Sequence, residues 1–245
     1  MNSIKCLILA CIFSSCLPII AEDTELSGYK LNNNFDVSLS YSGNQSSIVL
    51  SWVKFHSIIK KKRFKIGYGI RFTSQFGKNL DYITAPAKLT SKQKGPQVLF
   101  SESFPENIDT FKIYSTQYNA LNININLQYT IKQKIDVGFN IDTIGTSFGK
   151  ETQGTYISHQ SSDNSKEFTS SPTKLNALLV IDNDIGMLNS ELYVRYWFKP
   201  KRAIRAGASF LFTEYTTDAK LILDNDRWRN KSLMSLVAIT FSPFK

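Results

Sequence analysis

Cysteine and histidine are scarce in this 245-residue chain, and their scarcity excludes several kinds of functional site. The three cysteines lie within the first sixteen residues, and His56 and His159 are the only histidines. Beyond residue 21 the sequence therefore offers no disulfide, no thiolate metal site and no cysteine nucleophile. A histidine cluster with metal-ligand spacing and a glycine-rich phosphate loop are also missing. We expect no metal and no cofactor.

Long apolar runs are missing as well. Beyond the N-terminus no stretch of about 18 apolar residues occurs, which excludes a bundle of membrane-spanning helices. Glycine, proline and cysteine are too few for a collagen-like, low-complexity or disulfide-bridged chain. The length and the 42% apolar content fit one large folded domain or two small ones.

The N-terminal residues have the features of a secretory signal peptide. Lys5 supplies the positive charge, Cys6–Phe13 the apolar segment, and Ala21 a small residue at the cleavage position. We therefore interpret residues 1–21 as a signal peptide and residues 22–245 as a single domain. Processing as a lipoprotein at Cys16 stays open as an alternative. Removal of the leader subtracts only Lys5, which leaves a net charge of +9 − 1 = +8.

Past the leader, the dominant pattern is strict alternation of apolar and polar residues, which is typical of strands with one apolar face. Every second residue from Phe64 to Phe72 is apolar, and the same alternation runs through Leu121–Ile131 and Ile135–Ile141. Further alternating runs are Phe35–Tyr41, Leu188–Phe198, Ile204–Phe212 and Leu233–Phe241. The sequence therefore predicts an all-β, antiparallel fold. Which face of Ile48–Phe55 is apolar stays open.

Two architectures share this alternation. A soluble sheet turns its apolar face towards a core, whereas a transmembrane up-and-down barrel turns it towards lipid and its polar face towards the lumen. Three features favour the barrel: aromatic residues end the apolar faces, the polar faces mix charges of both signs, and short turns alternate with long loops. The run Phe64–Phe72 also matches the roughly 9–11 residues that a tilted strand needs to cross a bilayer.

The alternation assigns individual residues to the two faces of the predicted barrel. The residues expected to face lipid are Ile66, Tyr68, Ile70, Ile123, Ile125, Val137 and Phe139. The residues expected to form a polar network in the lumen are Lys65, Arg71, Asn124, Asp136, Asp142, Glu191, Arg195 and Arg205. Eight strands enclose an interior that side chains just fill, and buried charges are tolerated when they pair. We therefore predict a plugged polar lumen and not an open pore.

Turns and loops set the predicted number and direction of the strands. Short basic connections at 60–63, 132–134 and 199–202 are predicted to face the periplasm, and long polar loops near 77–117 and 150–186 the cell exterior. The predicted strands run near 33–42, 47–58, 64–76, 118–131, 135–148, 188–198, 203–216 and 231–241. This count is eight. A ten-stranded alternative would add Lys174–Gly186 and Lys220–Asp224.

The terminal strand Leu233–Phe241, with the leader, the alternating strands and the short basic turns, resembles the small outer-membrane barrels of the OmpA-domain and OmpX type. The blocks Asp182–Glu191 and Arg227–Met234 are similar to outer-membrane barrel proteins of Bacteroidetes-type bacteria. The resemblance implies a Gram-negative outer membrane and the barrel-assembly machinery as a partner. Such barrels usually end on an aromatic residue that this machinery reads. Here Lys245 follows Phe244, which departs from that pattern.

The basic net charge favours anionic partners. Nucleic acid is excluded because the leader exports the chain and the cations are dispersed. Outer-membrane lipid and lipopolysaccharide are the expected partners of the protein. Lysines of the first long loop are candidates for contact with lipopolysaccharide phosphates or for plain solvation, and we favour solvation for them. These lysines are Lys78, Lys88, Lys92 and Lys94. We expect a monomer.

The leading interpretation is therefore a non-enzymatic, integral outer-membrane β-barrel with a structural or surface-binding role. One alternative is a lipid-modifying outer-membrane enzyme in which His159, at the rim, activates a serine of the same loop. Serine and aspartate are common in any polar loop, so we predict no catalytic residue. A second alternative is a soluble exported β-barrel that binds an apolar ligand in its interior.

Overall fold

A computed structural model describes residues 32–58, 63–85, 87–90, 105–158, 166–179, 183–221 and 224–243. These residues form one antiparallel sheet of eleven strands, which confirms the predicted all-β class. Within them, no helix is both long and apolar enough to span a bilayer. The predicted signal peptide at 1–21, His159 and the C-terminal residues 244–245 lie outside the described residues.

The strands vary widely in length. Two short helical turns, Ala87–Thr90 and Pro105–Asn107, lie between the third and fourth strands. The strands are β1 (Asn33–Ser42), β2 (Gln45–Ser57), β3 (Phe64–Thr84), β4 (Thr110–Lys132), β5 (Ile135–Gly149), β6 (Thr152–Ile157), β7 (Lys166–Pro172), β8 (Leu175–Ala177), β9 (Leu188–Lys199), β10 (Arg202–Thr217) and β11 (Arg227–Phe241).

The eight longest strands pair into a closed ring in the order β1, β2, β3, β4, β5, β9, β10, β11. β11 pairs back with β1, from Phe35 opposite Phe241 to Tyr41 opposite Ser235, so the first and last strands seal the ring. We call the side with the tight β4–β5 and β9–β10 turns the turn end and the opposite side the loop end. Each of the eight predicted strands lies mostly within one ring strand.

The total of eleven strands differs from both predicted counts, eight and ten. The additional strands β6, β7 and β8 lie within the segment 150–186, which the sequence predicts as a long polar loop. Their sequences are short and largely polar, so alternation gave no signal for them. β8 falls in Lys174–Gly186 and pairs with β5, whereas the described residues of Lys220–Asp224 lie in no strand.

The first predicted loop, 77–117, is also shorter than expected, because β3 continues to Thr84 and β4 begins at Thr110. Along these extensions the alternation reverses. Leu80 and Tyr82 of β3 are buried, whereas Ile66 and Ile70, nearer the turn end, are exposed. Alternation in the first part of a strand therefore does not predict the buried face beyond the reversal.

A second, smaller closed ring lies at the loop end. β3 pairs there with β11, β4 with β6, β6 with β7, and β7 with β10. In this second ring β6 and β7 take the place between β4 and β10 that β5 and β9 occupy in the larger ring. β1 and β2 do not extend into the second ring. Inside this ring is the apolar core of the molecule, formed by Leu80, Tyr82, Phe111, Ile113, Tyr118, Ala120, Tyr156, Met187, Leu211, Tyr215, Trp228 and Met234.

Two local features add detail that alternation alone does not give: the inward face of β2 and a bulge in β5. In β2, Val49, Val53 and Phe55 are buried and Ile48 and Leu50 are exposed, so the valines face inward. In β5 the pairing with β4 shifts register at Thr143, because Asn124 lies opposite Asp142 while Ile123 lies opposite Ile144. The Thr143 hydroxyl donates to the carbonyl oxygen of Ile123 at this bulge.

Candidate functional site: a buried ion chain and a pocket in the wall

The residues predicted for the polar network all lie inside the ring. Alternation places them on the inward face of β3, β4, β5, β9 and β10, and their exposed fraction is at most 3%. These residues are Lys65, Arg71, Asn124, Asp136, Asp142, Glu191, Arg195 and Arg205.

Ion pairs connect the arginines of three different strands. Arg71 contacts Asp142 at 2.9 Å and Glu191 at 3.4 Å. Arg205 contacts the same Glu191 oxygen at 2.9 Å and reaches Asp36 of β1 at 3.5 Å. Each of these arginines therefore lies between two carboxylates.

Arg195 extends the series, because it contacts Asp36 at 3.5 Å and Asp136 at 4.0 Å. We call the whole series the ion chain. In order of contact it consists of Asp142, Arg71, Glu191, Arg205, Asp36, Arg195 and Asp136. Its charges alternate in sign along the series. With the buried Lys65, four cations balance four carboxylates, so the formal charges of these eight residues sum to zero.

Neutral groups satisfy further positions on the carboxylates of the ion chain. Asn140 donates to Glu191 at 2.8 Å, and Asn122 donates to Asp142 at 2.9 Å. At the turn end, the Trp197 indole N–H donates to Asp136 at 2.7 Å. Such hydrogen bonds offset part of the cost of burying charge.

Tyr193 packs against the arginines of the ion chain. The Arg205 guanidinium lies 4.3 Å from the centre of the Tyr193 ring, and that of Arg195 lies 5.1 Å from it. Gly138 is directly opposite Tyr193 in the pairing of β5 with β9. A Cβ atom at position 138 would come within 2.4 Å of the tyrosine side chain. Glycine at this position therefore leaves room for the tyrosine ring, which a larger residue would displace.

Apolar side chains lie beyond both ends of the ion chain. Towards the turn end, Trp197 and Ala203 pack together, and Phe55 is buried on β2. Towards the loop end lies the aromatic part of the apolar core. There Tyr215 makes edge-to-face contacts with Tyr82 and Tyr118, at centroid distances of 5.4 Å and 5.5 Å.

A second ion cluster lies at the loop end and was not anticipated from the sequence. Glu214 accepts hydrogen bonds from Arg227 at 2.7 Å and from Arg229 at 3.0 Å. Both arginines also donate to the backbone carbonyl of Asp184, which ties the segment before β9 to β10 and β11. Arg227 and Arg229 precede the predicted strand 231–241, and Glu214 lies near the end of the predicted strand 203–216, where alternation assigns no face.

Tyr156 of β6 links the second ring to the start of β4. Its hydroxyl donates to the Asp109 carboxylate at 2.7 Å. Burial raises the pKa of the Tyr156 phenol to about 12, and the negative charge of Asp109 adds to the rise. The phenol therefore stays protonated, and keeps this hydrogen bond, throughout the neutral range.

The residues expected to face lipid lie on the outer surface of the ring. Ile66, Tyr68, Ile70, Ile123, Ile125 and Phe139 are exposed, with exposed fractions between 39% and 52%. Val137 is only partly exposed. The outward positions of neighbouring strands carry further exposed apolar side chains, among them Phe35, Val37, Leu39, Leu192, Val194, Ile204, Val237 and Ile239.

Sequence reasoning missed Asp36, which joins two arginines in the ion chain. The signal was present, since Asp36 occupies a polar position of the alternating run Phe35–Tyr41. Its partners are 159 and 169 positions away, at Arg195 and Arg205, because β1 lies near β9 and β10 only in the closed ring. Alternation identifies the face of a residue but not which distant residue it meets.

Other candidate residues fall partly outside the described chain. His159, on which the enzymatic alternative depends, is outside it, as are Lys92 and Lys94. Lys78 is exposed on β3, and Lys88 falls in the turn Ala87–Thr90. Within the described ranges, no group of three or more histidine, cysteine or acidic residues could hold a metal ion.

A shallow, open pocket lies in the wall between β3 and β11. β3 pairs with β2 up to Gly77, and the β1–β2 turn at Ser42–Gln45 ends just below this level. Backbone pairing between β3 and β11 then occurs only at residues 83–84 and 228–229. The gap between them is a pocket of about 400 Å³, lined by Ser42, Gly43, Asn44, Gln45, Asn79, Leu80, Asp81 and Asn230. We call it the wall pocket.

Three solved structures are similar to this chain over most of its length. Neisserial surface protein A covers 86% of this chain and 95% of its own, with 7% identity and a TM-score of 0.36. The Yersinia pestis outer membrane protein Ail, in a phospholipid bilayer nanodisc, covers 86% and 99%, with 8% identity and a TM-score of 0.34. The toluene transporter TbuX of Ralstonia pickettii covers 86% and 90%, with 7% identity and a TM-score of 0.24.

Likenesses this low identify no ligand and no activity of this chain. No protein-family model and no curated protein matches the sequence.

Proposed function

We propose that this protein is a non-enzymatic, integral β-barrel of a bacterial outer membrane, with a closed polar lumen and a structural or binding role at the cell surface. The ring of eight strands is the membrane-spanning part. The second ring at the loop end projects from the outer surface. The turn end faces the periplasm.

The inversion of polarity across the wall carries this proposal. Inside the ring lies the ion chain, and outside it lie exposed isoleucine, leucine, valine and aromatic side chains. A water-soluble protein rarely exposes a contiguous apolar patch larger than about 300–600 Å². In lipid, an exposed apolar surface carries no free-energy penalty. A closed ring of strands also pairs the backbone N–H and C=O groups with one another, as a membrane interior requires.

The height of the apolar outer surface fits a bilayer. On β4, each outward position from Leu121 to Ile131 is apolar and exposed. The next outward positions towards the loop end are Asn119 and Gln117, which hydrogen-bond to each other at 3.1 Å. The apolar stretch thus has about the 9–11 residues that a tilted strand uses to cross a membrane.

The charged interior argues against a soluble barrel that holds an apolar ligand. In such a protein the apolar faces of the strands would line the cavity. Here the side chains that would have to line it, such as Ile66, Ile123 and Val194, point away from it. The apolar layers beyond both ends of the ion chain support a closed lumen, and the mutual pairing of its charges supports a structural role for them.

Fractionation tests the proposal directly. The full chain with its leader, expressed in a Gram-negative host, is expected in the outer-membrane fraction, soluble only in detergent. Its unboiled form should migrate differently from its boiled form on a gel. Recovery in the detergent-free soluble fraction, with identical migration in both forms, would contradict the proposal.

A matched pair of variants sharpens the test. Ile123→Arg places a charge within the apolar outer surface, one outward position below Leu121, at a cost of up to about 2–4 kcal/mol. Tyr114→Arg places the same charge on the outer surface of β4 beyond it, where Tyr114 is 53% exposed. Only Ile123→Arg should lower the membrane-inserted fraction. Equal yields for the two variants would count against lipid at position 123.

A further inference from the structure

The wall pocket is lined mostly by hydrogen-bonding groups. Its lining is dominated by amides and a hydroxyl, with Asp81 as the one carboxylate among the lining residues. Gln45 donates to the Asn230 side-chain oxygen at 2.5 Å, and Asn230 donates to the backbone carbonyl of Asp81 at 2.9 Å. Ser42 shares a hydrogen bond with Ser232 at 2.8 Å. These contacts hold the lining groups of β2, β3 and β11 in fixed positions.

Amide and hydroxyl groups both donate and accept hydrogen bonds, which suits the hydroxyls of a sugar. A pocket of about 400 Å³ is large enough for a sugar unit but too small for a folded partner.

Two lysines flank the wall pocket. Lys78 directly precedes Asn79 on one strand, Lys231 directly follows Asn230 on the other, and both are exposed. Exposed lysines next to the lining residues of both strands suit phosphate groups, which accept charge-assisted hydrogen bonds. The surface therefore combines sugar-binding and phosphate-binding chemistry.

Apolar side chains lie directly below the lysines. Phe76 precedes Lys78 by two positions and Leu233 follows Lys231 by two, so each lies on the same outward face as its lysine. Tyr41 ends the outer face of β1 beside them. These side chains are 43%, 69% and 62% exposed, respectively. Together they mark the upper edge of the apolar outer surface.

We propose that the wall pocket binds the headgroup of a phosphorylated glycolipid of the outer leaflet. A sugar unit occupies the pocket, its phosphates contact Lys78 and Lys231, and its acyl chains lie along Phe76, Leu233 and Tyr41. This inference rests on the proposed membrane location, because it places the acyl chains in the bilayer.

Native mass spectrometry of the detergent-purified protein, titrated with bisphosphorylated lipid A, tests the inference. The double variant Lys78→Ala/Lys231→Ala is expected to bind this lipid about tenfold more weakly, because two charge-assisted contacts are lost. The matched control is Lys150→Ala/Lys174→Ala. It removes two exposed lysines next to the apolar Phe148 and Leu175 but away from the wall pocket, and should keep the wild-type affinity. Equal weakening in both double variants would mean nonspecific attraction and would overturn the inference.

Two further probes separate the parts of the ligand. Phosphatidylglycerol has a phosphate and acyl chains but no sugar, and should compete poorly with lipid A. A lipid-free phosphorylated oligosaccharide should also bind poorly, because it lacks acyl chains. Equal competition by either probe would overturn the inference.

Different results would refute the proposed membrane location and the wall-pocket site. A protein that is soluble without detergent and does not change its gel migration on boiling refutes the membrane location itself. A detergent-requiring, heat-modifiable protein whose affinity for lipid A is unchanged in Lys78→Ala/Lys231→Ala refutes only the wall-pocket site.

Discussion

At the scale of single residues, the interior depends on arginines that each lie between two carboxylates. Arg195 contacts Asp36 and Asp136, and its guanidinium also donates to the Gln128 side-chain oxygen at 2.8 Å. Removal of one partner of a buried ion pair is far more costly than its net contribution, because the other charge is then left in a medium that solvates it poorly. Here two carboxylates would lose their shared cation.

Arg195→Leu is therefore expected to destabilise the ring by about 3–5 kcal/mol. The measurement is the temperature at which the fast-migrating, folded band disappears from an unboiled gel. This temperature should be clearly lower for the variant than for the parent protein.

Arg202→Leu is the control for that change. Arg202 is the first residue of β10 and is exposed, so its replacement should leave the unfolding temperature nearly unchanged. If Arg195→Leu lowered the temperature no more than Arg202→Leu, the ion chain would not contribute as described.

At the scale of the strand, β3 and β4 each serve two environments. Near the turn end they expose apolar side chains and bury polar ones, as at Ile123 and Asn124. Near the loop end they bury apolar side chains, as at Tyr82 and Phe111. Each strand thus has an apolar outer face near the turn end and an apolar inner face near the loop end. The loop end therefore has its own hydrophobic core and the ring has its ion chain.

This division predicts that the loop end can be loosened separately. Trp228 is fully buried, lies 5.7 Å from the ring centroids of both Phe111 and Tyr156, and donates to the Thr217 hydroxyl at 3.3 Å. Trp228→Ala removes a large side chain from this core, at a cost of about 3–5 kcal/mol. Limited proteolysis should then cut the loop-end parts of β3, β4 and β6, while the ring remains heat-modifiable.

Trp52→Ala is the matched control, because Trp52 lies on the outer face of β2, opposite Ile70. It should leave the loop end as resistant to protease as the parent protein. Loss of the ring together with the loop end in Trp228→Ala would show that the two parts unfold as one unit and would contradict their separation.

The sequence was sufficient for the ring and insufficient for the loop end, for a physical reason. In the ring each side chain points either inward or outward, and alternation of polar and apolar residues identifies the direction, as for Arg71 and Ile70. At the loop end the polarity reverses near Asn79, whose φ of 51° marks an irregular backbone. The short strands β6 and β7 are held by pairing with distant strands, and their own pattern does not encode it. The wall pocket forms where the pairing of neighbouring strands ends, and no local sequence pattern indicates that position.

At the scale of the whole molecule, the distribution of polarity is opposite to that of a soluble protein. The buried interior of the ring carries four cations and four carboxylates, and its outer surface is apolar at consecutive outward positions, as from Leu121 to Ile131 of β4. Closure of β11 on β1 leaves no free strand edge around the ring. Both properties are what a protein needs when its surroundings offer neither water nor hydrogen bonds.

Spin labels on single cysteines test the nature of those surroundings most directly, and the chain favours the experiment because its own cysteines all precede residue 17. In reconstituted vesicles, labels at Ile66, Tyr68, Ile123 and Val137 should be accessible to oxygen and protected from a water-soluble nickel chelate. A label at Tyr114 should reach the chelate, and a label at Asn124 should be shielded from both. If the first four labels instead reported water or tightly packed neighbours, while Asn124 reported bulk solvent, the wall would face the opposite way and the protein would not be a membrane barrel.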